Sequence, residues 1–458
     1  MLIVLTCIIG GFFAYKNYLN AFITTFLFAI ILMPIMTYWT SPLWYQYKGF
    51  VPIIMIGELF AFNYNIILND KWFQKSLQFL FLIILCFLLV IGIESVINDY
   101  SVIKGFLYFR NYFWGFLLYI ILASLPNKKL YFENILLVFV LLQVILSFFQ
   151  YYLDPSFGRS FMIAEFIKNG RVQTMTAEDF IMSSEHLVVG SLEKITRLGN
   201  FLALYLTYKI GRIIIERKIS NIPYLLFFIA IFTVIILTGV RSSLLTSIIG
   251  TILCIIIIRN RWDKAFYKTL FISIILIIIL PILIEYGTQL AREGIDYNQA
   301  SLRGLTVFSL LGDNEGSPLY TLRRSEYLLK FLNFKTFFIG TGIYTNNPLG
   351  YGSGISSISD IQLLFIIVEF GIIPLLLCLT VYIYPIYQFK RYDDINTLKL
   401  FSILFIIIIL QTVVDQGLYD ALTSYIFFLL CACSAMDKEY NFELDLEDAN
   451  DDSNSQLL

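Results

Sequence analysis

Charged side chains are scarce in this sequence. Only 14% of its 458 residues are Asp, Glu, Lys or Arg, whereas 58% are hydrophobic. A soluble protein of this length needs a much more polar surface, so the composition excludes that class. Runs of about 20 apolar residues, the length that crosses a hydrocarbon core, recur along nearly the whole chain. The sequence therefore predicts an all-α polytopic membrane protein.

The sequence also has little that could bind a metal or build a disulfide framework. The chain has one histidine, His186, and no HExxH motif. All six cysteines fall inside apolar runs, which excludes a disulfide framework. No P-loop or other nucleotide-binding glycine-rich turn is present, so ATP is not expected as an energy source. We therefore expect neither a metal nor another cofactor.

The apolar runs predict about 12–14 transmembrane helices, because backbone groups in hydrocarbon must be paired within the segment. We expect one transmembrane domain, residues 1–436, followed by an acidic disordered tail at 437–458. The runs are 2–15, 20–39, 49–63, 77–97, 105–124, 131–152, 197–215, 222–238, 242–258, 266–284, 361–387, 398–414 and 419–436.

Basic residues fall on alternate connections between these runs, which predicts the orientation of the chain. With thirteen spans, all of these clusters lie on one side, the cytoplasm. The two long connections, 154–196 and 285–359, are then external loops, and the tail is cytoplasmic. The clusters are Lys71/Lys75, Lys128/Lys129, Arg212/Arg217/Lys218, Arg259/Arg261/Lys264/Lys268 and Lys390/Arg391/Lys399.

Arginines gather on the predicted external side. Arg241 follows a tight glycine turn, Arg197 opens the run after the first long loop, and Arg323 and Arg324 open an amphipathic segment in the second. Each one alone is compatible with an interfacial arginine that snorkels to lipid phosphates. Together they favour bidentate binding of a phosphate group, for which the guanidinium is suited.

Carboxylates occur at the same face. Asp360 stands at the mouth of the run 361–387, where it is either a helix N-cap or a base that meets a hydroxyl from solvent. Glu369 lies about nine residues inside that run, about 14 Å deep in an unbroken helix. An ionisable group at that depth is costly and suggests a function. Deeper in the first half, Arg110 and Glu94 are predicted to form a structural ion pair.

These motifs together resemble the O-antigen polymerase and O-antigen ligase superfamily of bacterial membrane glycosyltransferases. The resemblance covers about the second half of the chain. The matching pieces are Arg197-Leu198-Gly199-Asn200, Thr238-Gly239-Val240-Arg241-Ser242-Ser243, Arg324 with Gly340-Thr341-Gly342, and Asp360 with Glu369-Phe370-Gly371.

The resemblance implies a GT-C-like helical fold in the bacterial cytoplasmic membrane, with its active site on the external, periplasmic face. The donor and acceptor would be glycans linked to undecaprenyl diphosphate, and arginines would hold the diphosphate in place of a metal. Asp360 would be the acceptor base, with Glu326 as the alternative and Glu369 as a substrate-positioning group. The lipid bilayer, a chain-length regulator and a flippase are the expected partners, and nucleic acid is not.

One departure from the family pattern separates two activities. Ligases of the superfamily place a histidine near the mouth of the helix after the large loop, whereas this chain reads Ile358-Ser359-Asp360-Ile361 there. This favours a polymerase of O-antigen, capsule or exopolysaccharide repeat units over a ligase. A non-enzymatic flippase of lipid-linked oligosaccharides is the other alternative, and the long external loop argues against it.

Overall fold

The structure of the protein is a computed structural model that describes residues 2–40, 49–98, 102–125, 130–153, 188–192, 194–216, 222–258, 334–340, 366–368, 370–389, 394–414 and 421–436. Across these ranges the regular elements are helices, and no strand occurs among them. The predicted all-α polytopic membrane fold is confirmed. The predicted tail, 437–458, and most of both long loops lie outside the described residues.

We number the helices of the described ranges in chain order. Single π-helical turns follow α2, at Phe28–Leu32, and α10, at Cys254–Ile258. The helices are α1 (Leu2–Tyr15), α2 (Leu19–Leu27), α3 (Met33–Thr40), α4 (Val51–Asn69), α5 (Lys71–Asn98), α6 (Val102–Ala123), α7 (Phe132–Tyr152), α8 (Ile195–Glu216), α9 (Ile222–Leu237), α10 (Arg241–Leu253), α11 (Phe334–Ile339), α12 (Ile372–Gln388), α13 (Ile395–Val414) and α14 (Ala421–Met436).

Six helical stretches in the described part of the chain are long and apolar enough to cross a membrane. Shorter apolar helices accompany them, among them α1, α9, α12 and α14. The chain is therefore a multi-pass membrane protein. The six long stretches are Leu19–Thr37, Val51–Asn69, Lys71–Ile97, Phe132–Tyr152, Ile195–Glu216 and Ile395–Thr412.

Helices α8 and α10 pack side by side and run in the same direction. Near the start of both helices, a methyl group on Gly199 would lie 2.8 Å from Cβ of Ser243. Three turns further along, a methyl group on Gly211 would lie 3.4 Å from Sγ of Cys254. Glycines at the contact let two membrane helices approach closely. The pair is therefore parallel, as the predicted single crossing of α9 between them requires.

Helix α13 packs against both members of this pair in the opposite direction. Its first half meets the end of α8, where Leu400 lies against Gly211. Its second half meets the start of α10, where the Gln411 amide approaches Thr246. Helices α12 and α13 form an antiparallel pair, with the rings of Phe389 and Phe401 stacked 4.8 Å apart. Helices α8, α10 and α12 consequently begin at one end of the bundle, which we call the arginine end.

Two details of the predicted spans are wrong. Lys71 and Lys75 lie in the first turns of α5 and not in a connecting loop, because Asp70 alone separates α4 from α5. The carboxylate of Asp70 accepts hydrogen bonds from the backbone N–H groups of Trp72 (2.9 Å) and Phe73 (3.3 Å) and so caps α5. This cap allows one residue to make the turn.

The second correction concerns the run 361–387, which is not one unbroken helix. The backbone at Gly371 has φ 82° and ψ 175°, a conformation that favours glycine, and α12 begins at the next residue. The helical residues 366–368 precede this break. The depth of about 14 Å expected for Glu369 counts only residues that precede this break, so it stays a prediction. Glu369 itself lies outside the described residues.

Candidate functional site

The starts of α8 and α10 bring two of the predicted substrate-binding arginines to the arginine end. Arg197 lies in the first turn of α8, and Arg241 is the first residue of α10. Just below them, the Ser243 hydroxyl donates a buried hydrogen bond of 2.8 Å to the Asn200 side-chain oxygen. The two arginines therefore occupy neighbouring helix positions at one level. The side chain of Arg241 lies outside what the structure describes, and Arg197 is half-buried.

The predicted tight turn before Arg241 is present and has a local cause. Helix α9 ends at Leu237, and Gly239 takes φ 68°, which a side chain would disfavour. The Thr238 hydroxyl donates to the Ile235 carbonyl at 2.7 Å and accepts from the Val240 N–H at 3.3 Å. These bonds satisfy backbone groups that the end of α9 would otherwise leave unpaired.

A layer of neutral polar side chains is buried directly beneath the two arginine positions. The Gln411 amide of α13 donates to the Asn200 carbonyl at 3.3 Å and lies 3.4 Å from the Thr246 hydroxyl. All three residues are at most 1% exposed. Polar bonds between membrane helices hold them in a defined register. This layer fixes the starts of α8 and α10 relative to each other.

The glycine motifs of the second half meet at the same end of the bundle. Gly340 ends α11 with φ 71° and donates its N–H to the Thr336 carbonyl at 2.8 Å. Gly371, at the start of α12, packs against the backbone carbonyl of Phe338 so closely that any Cβ would collide with it. The structure thus joins the Gly340 and Gly371 motifs, which lie far apart in sequence. Glu369 precedes this junction by two positions.

The remaining predicted site residues lie outside the described residues. They are Asp360, Glu326, Arg323, Arg324 and Glu369, and the roles expected of them stay predictions.

The predicted ion pair between Glu94 and Arg110 also stays a prediction. Glu94 is buried in the last turns of α5, at 1% exposure, and Arg110 lies on α6 with its side chain outside the described part. The rings of Phe87 and Phe113 meet at 5.6 Å between the two helices. This register places Glu94 about one helical turn from Arg110 along the α5–α6 contact.

Two glutamines that the sequence analysis did not select hold the segment 188–192, which leads into α8. Gln150 of α7 accepts from the N–H groups of Val189 (3.0 Å) and Gly190 (2.9 Å) and donates to the Gly190 carbonyl at 2.7 Å. Gln143 accepts from the Ser191 N–H at 3.0 Å and donates to its hydroxyl at 2.7 Å. We call this arrangement the amide clamp. The signal in the sequence was two amides seven residues apart inside an apolar run.

A cluster of charged groups occupies the opposite end of the α7–α8 pair, which we call the glutamate end. Glu133 of α7 forms ion pairs with Lys209 (2.6 Å) and Arg212 (2.9 Å) of α8 and accepts a hydrogen bond from the Tyr208 hydroxyl at 2.9 Å. Arg212 also pairs with Glu216 at 2.9 Å. The cationic groups here serve to join α7 to α8. The sequence analysis had not selected Glu133.

Comparison with known proteins gives one family match. Residues 226–379 match the family model described as O-antigen ligase. The match covers less than half of the chain and spans α9 to the first half of α12, including the motifs at 238–243, 340–342 and 369–371. It confirms the resemblance to the O-antigen polymerase and ligase superfamily that the motifs of the second half predict. No curated protein and no solved structure matches the chain.

Proposed function

We propose that this protein polymerises oligosaccharide repeat units linked to undecaprenyl diphosphate, on the external face of the bacterial cytoplasmic membrane. The observation that carries this proposal is the convergence of Arg197 and Arg241 at the start of two parallel helices. Arginines at two neighbouring helix positions suit a diphosphate, because a guanidinium group can donate two parallel hydrogen bonds to phosphate oxygens. The family match at residues 226–379 supports lipid-linked glycans as the substrate class.

In the proposed reaction an acceptor hydroxyl attacks the anomeric carbon of the donor chain. A new glycosidic C–O bond forms, and the bond from the anomeric carbon to the diphosphate oxygen breaks. The hydroxyl proton passes to the Asp360 carboxylate, or to Glu326 if Asp360 serves only as a helix cap. The arginines stabilise the charge on the departing undecaprenyl diphosphate. Glu369 helps to orient the substrate.

The choice of polymerase over ligase rests on the residues near the mouth of the helix after the second loop. The stretch Ile358-Ser359-Asp360-Ile361 offers a carboxylate where ligases of the superfamily place a histidine. The match to the ligase family model is compatible with either activity, so the ligase remains the second candidate.

A reconstitution assay separates the candidate functions. The purified full chain is placed in vesicles with a lipid-linked repeat unit whose sugar is labelled. A ladder of products that increase by one repeat unit is expected for the polymerase. Single transfer to an acceptor that is not a repeat unit would identify a ligase, and translocation without transfer would identify a flippase. Either of those results would reject the proposal.

The external location of the second long loop has its own test. Single cysteines at Ser317 and Ser453 are labelled on intact cells with a reagent that does not cross the membrane, in a chain whose six native cysteines are replaced. Ser317→Cys should be labelled and Ser453→Cys should not. The basic clusters predict that the second long loop, which contains Ser317, is external and that the tail, which contains Ser453, is cytoplasmic. Equal labelling of both positions would contradict the orientation.

The role of Asp360 is tested by comparing Asp360→Asn with Asp360→Ser. Both replacements cap helices well but neither is a useful base. If Asp360 takes the proton, both variants insert normally and lose roughly 10²–10⁴-fold of the polymerisation rate. Polymer of normal yield and chain length from either variant would show that Asp360 is a cap and would direct attention to Glu326.

A further inference from the structure

The segment 188–192 is non-helical backbone buried inside a helical membrane protein. Val188, Val189, Ser191 and Leu192 are fully buried, and Gly190 is buried with them at φ 57°. Irregular backbone at membrane depth is tolerated only where protein groups replace the hydrogen bonds that a helix would make. The segment must therefore be held by something other than itself.

The amide clamp supplies those hydrogen bonds. Three successive backbone N–H groups, from Val189 to Ser191, are accepted by the side-chain oxygens of Gln150 and Gln143. Each glutamine also donates from its nitrogen, Gln150 to the Gly190 carbonyl and Gln143 to the Ser191 hydroxyl. In each glutamine, both the oxygen and the nitrogen of the side-chain amide are therefore bonded to this one five-residue segment. Replacement of either would leave buried backbone groups unsatisfied, which is costly.

The clamp extends to a third element through Ser191. While its hydroxyl accepts from Gln143, it also donates to the backbone carbonyl of Ile31 at 2.5 Å. Ile31 lies in the π-helical turn Phe28–Leu32, where the backbone bonding register changes and the Met33 N–H reaches back to the Phe28 carbonyl. A single turn of this kind often occurs at a functional site. Helix α7 and this turn thus hold the segment from two sides.

The held segment leads directly into the first turn of α8. Leu198, next to Arg197, comes within 3.4 Å of a methyl group built on Gly190, so the clamp and the arginine turn are in packing contact. The Leu198 N–H is bonded to the Lys194 carbonyl at 3.2 Å, which continues the helix back toward the segment. We therefore expect a shift of residues 188–192 to displace the first turn of α8, which contains Arg197.

We propose that Gln143 and Gln150 are positioning residues, which hold the segment 188–192 so that Arg197 is placed to bind the diphosphate of the lipid-linked substrate. This rests on the proposed function, in which Arg197 contacts that diphosphate. The clamp uses neutral amides, so it fixes the backbone near the substrate without adding a charge that would compete for the arginines. The residues act through Arg197 and do not touch the reacting atoms.

The experiment measures farnesyl diphosphate binding to the purified full chain by titration calorimetry, together with thermal unfolding. Gln150→Leu is compared with Arg197→Ala and with the double variant. Each single change should weaken binding on the order of tenfold, because one charge-assisted hydrogen bond contributes about that factor. The double variant should bind no more weakly than Arg197→Ala alone, because Gln150 acts through that residue.

Two control variants separate positioning from general stability. Ser147→Ala removes a buried hydroxyl that lies between the two glutamines on α7 and has no hydrogen-bond partner among the residues that the structure describes. Asn63→Leu removes a buried amide of α4 that bonds to the Ala14 carbonyl at 3.3 Å, away from α8. Asn63→Leu should lower the unfolding temperature as Gln150→Leu does, yet both controls should bind farnesyl diphosphate within about twofold of the wild type.

A second readout does not depend on the ligand. Hydrogen exchange of the amides of Val189, Gly190 and Ser191 should accelerate in Gln150→Leu and not in Asn63→Leu. Unchanged exchange, or additive losses of affinity in the double variant, would overturn the positioning role alone. Failure of the wild type to bind farnesyl diphosphate would overturn the proposed function, and the positioning role with it.

Discussion

The two ends of the α7–α8 pair are held together by different chemistry. At the glutamate end, Glu133 pairs with Lys209 and Arg212, so the cationic groups there are used within the protein. At the arginine end, the neutral amides of Gln143 and Gln150 join α7 to the segment 188–192 that leads into α8. A basic residue in a membrane protein is therefore a poor guide to function until its own partners are known. The arginine end is where we expect the diphosphate of the lipid-linked substrate to bind.

The sharpest test of this contrast replaces one arginine at each end by lysine. Arg241→Lys keeps the charge but loses the bidentate geometry, and polymer should fall on the order of 100-fold. Arg212→Lys at the glutamate end should retain polymer within about twofold, because an ammonium can still pair with Glu133. The length and amount of polymer from cells that express equal protein are compared. Near-normal polymer from Arg241→Lys would make Arg241 a lipid anchor.

A smaller loss of activity is expected when a methyl group is added at the contact between α8 and α10. Gly199→Ala would place a methyl group 2.5 Å from Oγ and 2.8 Å from Cβ of Ser243, so the helix starts must separate or rotate. We expect a loss of roughly 1–3 kcal/mol in unfolding free energy, with reduced farnesyl diphosphate affinity. The matched change at the other end, Gly211→Ala, meets a terminal methyl of Leu400, which can rotate away.

Thermal unfolding and farnesyl diphosphate titration of both alanine variants check this expectation. Gly211→Ala should alter stability only, because it lies far from the arginine end. Equal loss of affinity in the two variants would show that the packing of α8 against α10 does not set the arginine positions.

The smallest effect on function is expected at the glutamate end. Glu133→Gln removes the charge that holds Lys209 and Arg212 and should cost roughly 1–3 kcal/mol of stability. Polymer per folded molecule should remain unchanged, because no substrate group is expected there. The unfolding temperature measures the loss of stability. The polymer yield, divided by the amount of protein in the membrane, measures the activity per molecule. A loss of specific activity with unchanged stability would place a functional role at Glu133.

The sequence predicted most spans of the described ranges well because their signal is local, while the predicted run 266–284 lies outside those ranges. An apolar run such as 131–152 must form a helix in hydrocarbon, and α7 occupies almost the same residues. The Thr238-Gly239 turn could also be predicted from the sequence, because a glycine between two apolar runs marks the place where the chain turns. The family resemblance, carried by short motifs in the second half, was confirmed over residues 226–379.

Other features depended on contacts between distant residues and could not be predicted. Gln150 bonds to Gly190, 40 positions later, and Gln143 to Ser191, 48 positions later. From a glutamine inside an apolar run one can infer that its amide needs hydrogen-bond partners, but not which residues they are. The break at Gly371 is similar: a glycine within an apolar run is usually helical, and its positive φ depends on the carbonyl of Phe338 behind it.

The parallel course of α8, α10 and α12 has an electrostatic consequence. Each helix carries a macrodipole equivalent to roughly half a positive charge at its N-terminus. Helices α7, α9 and α13 end at the same level, so their negative C-termini offset this charge for the bundle as a whole, and the effect is confined to the first turns. A phosphate that reaches this end would meet the backbone N–H groups of the first turns of α8 and α10 as well as the arginines.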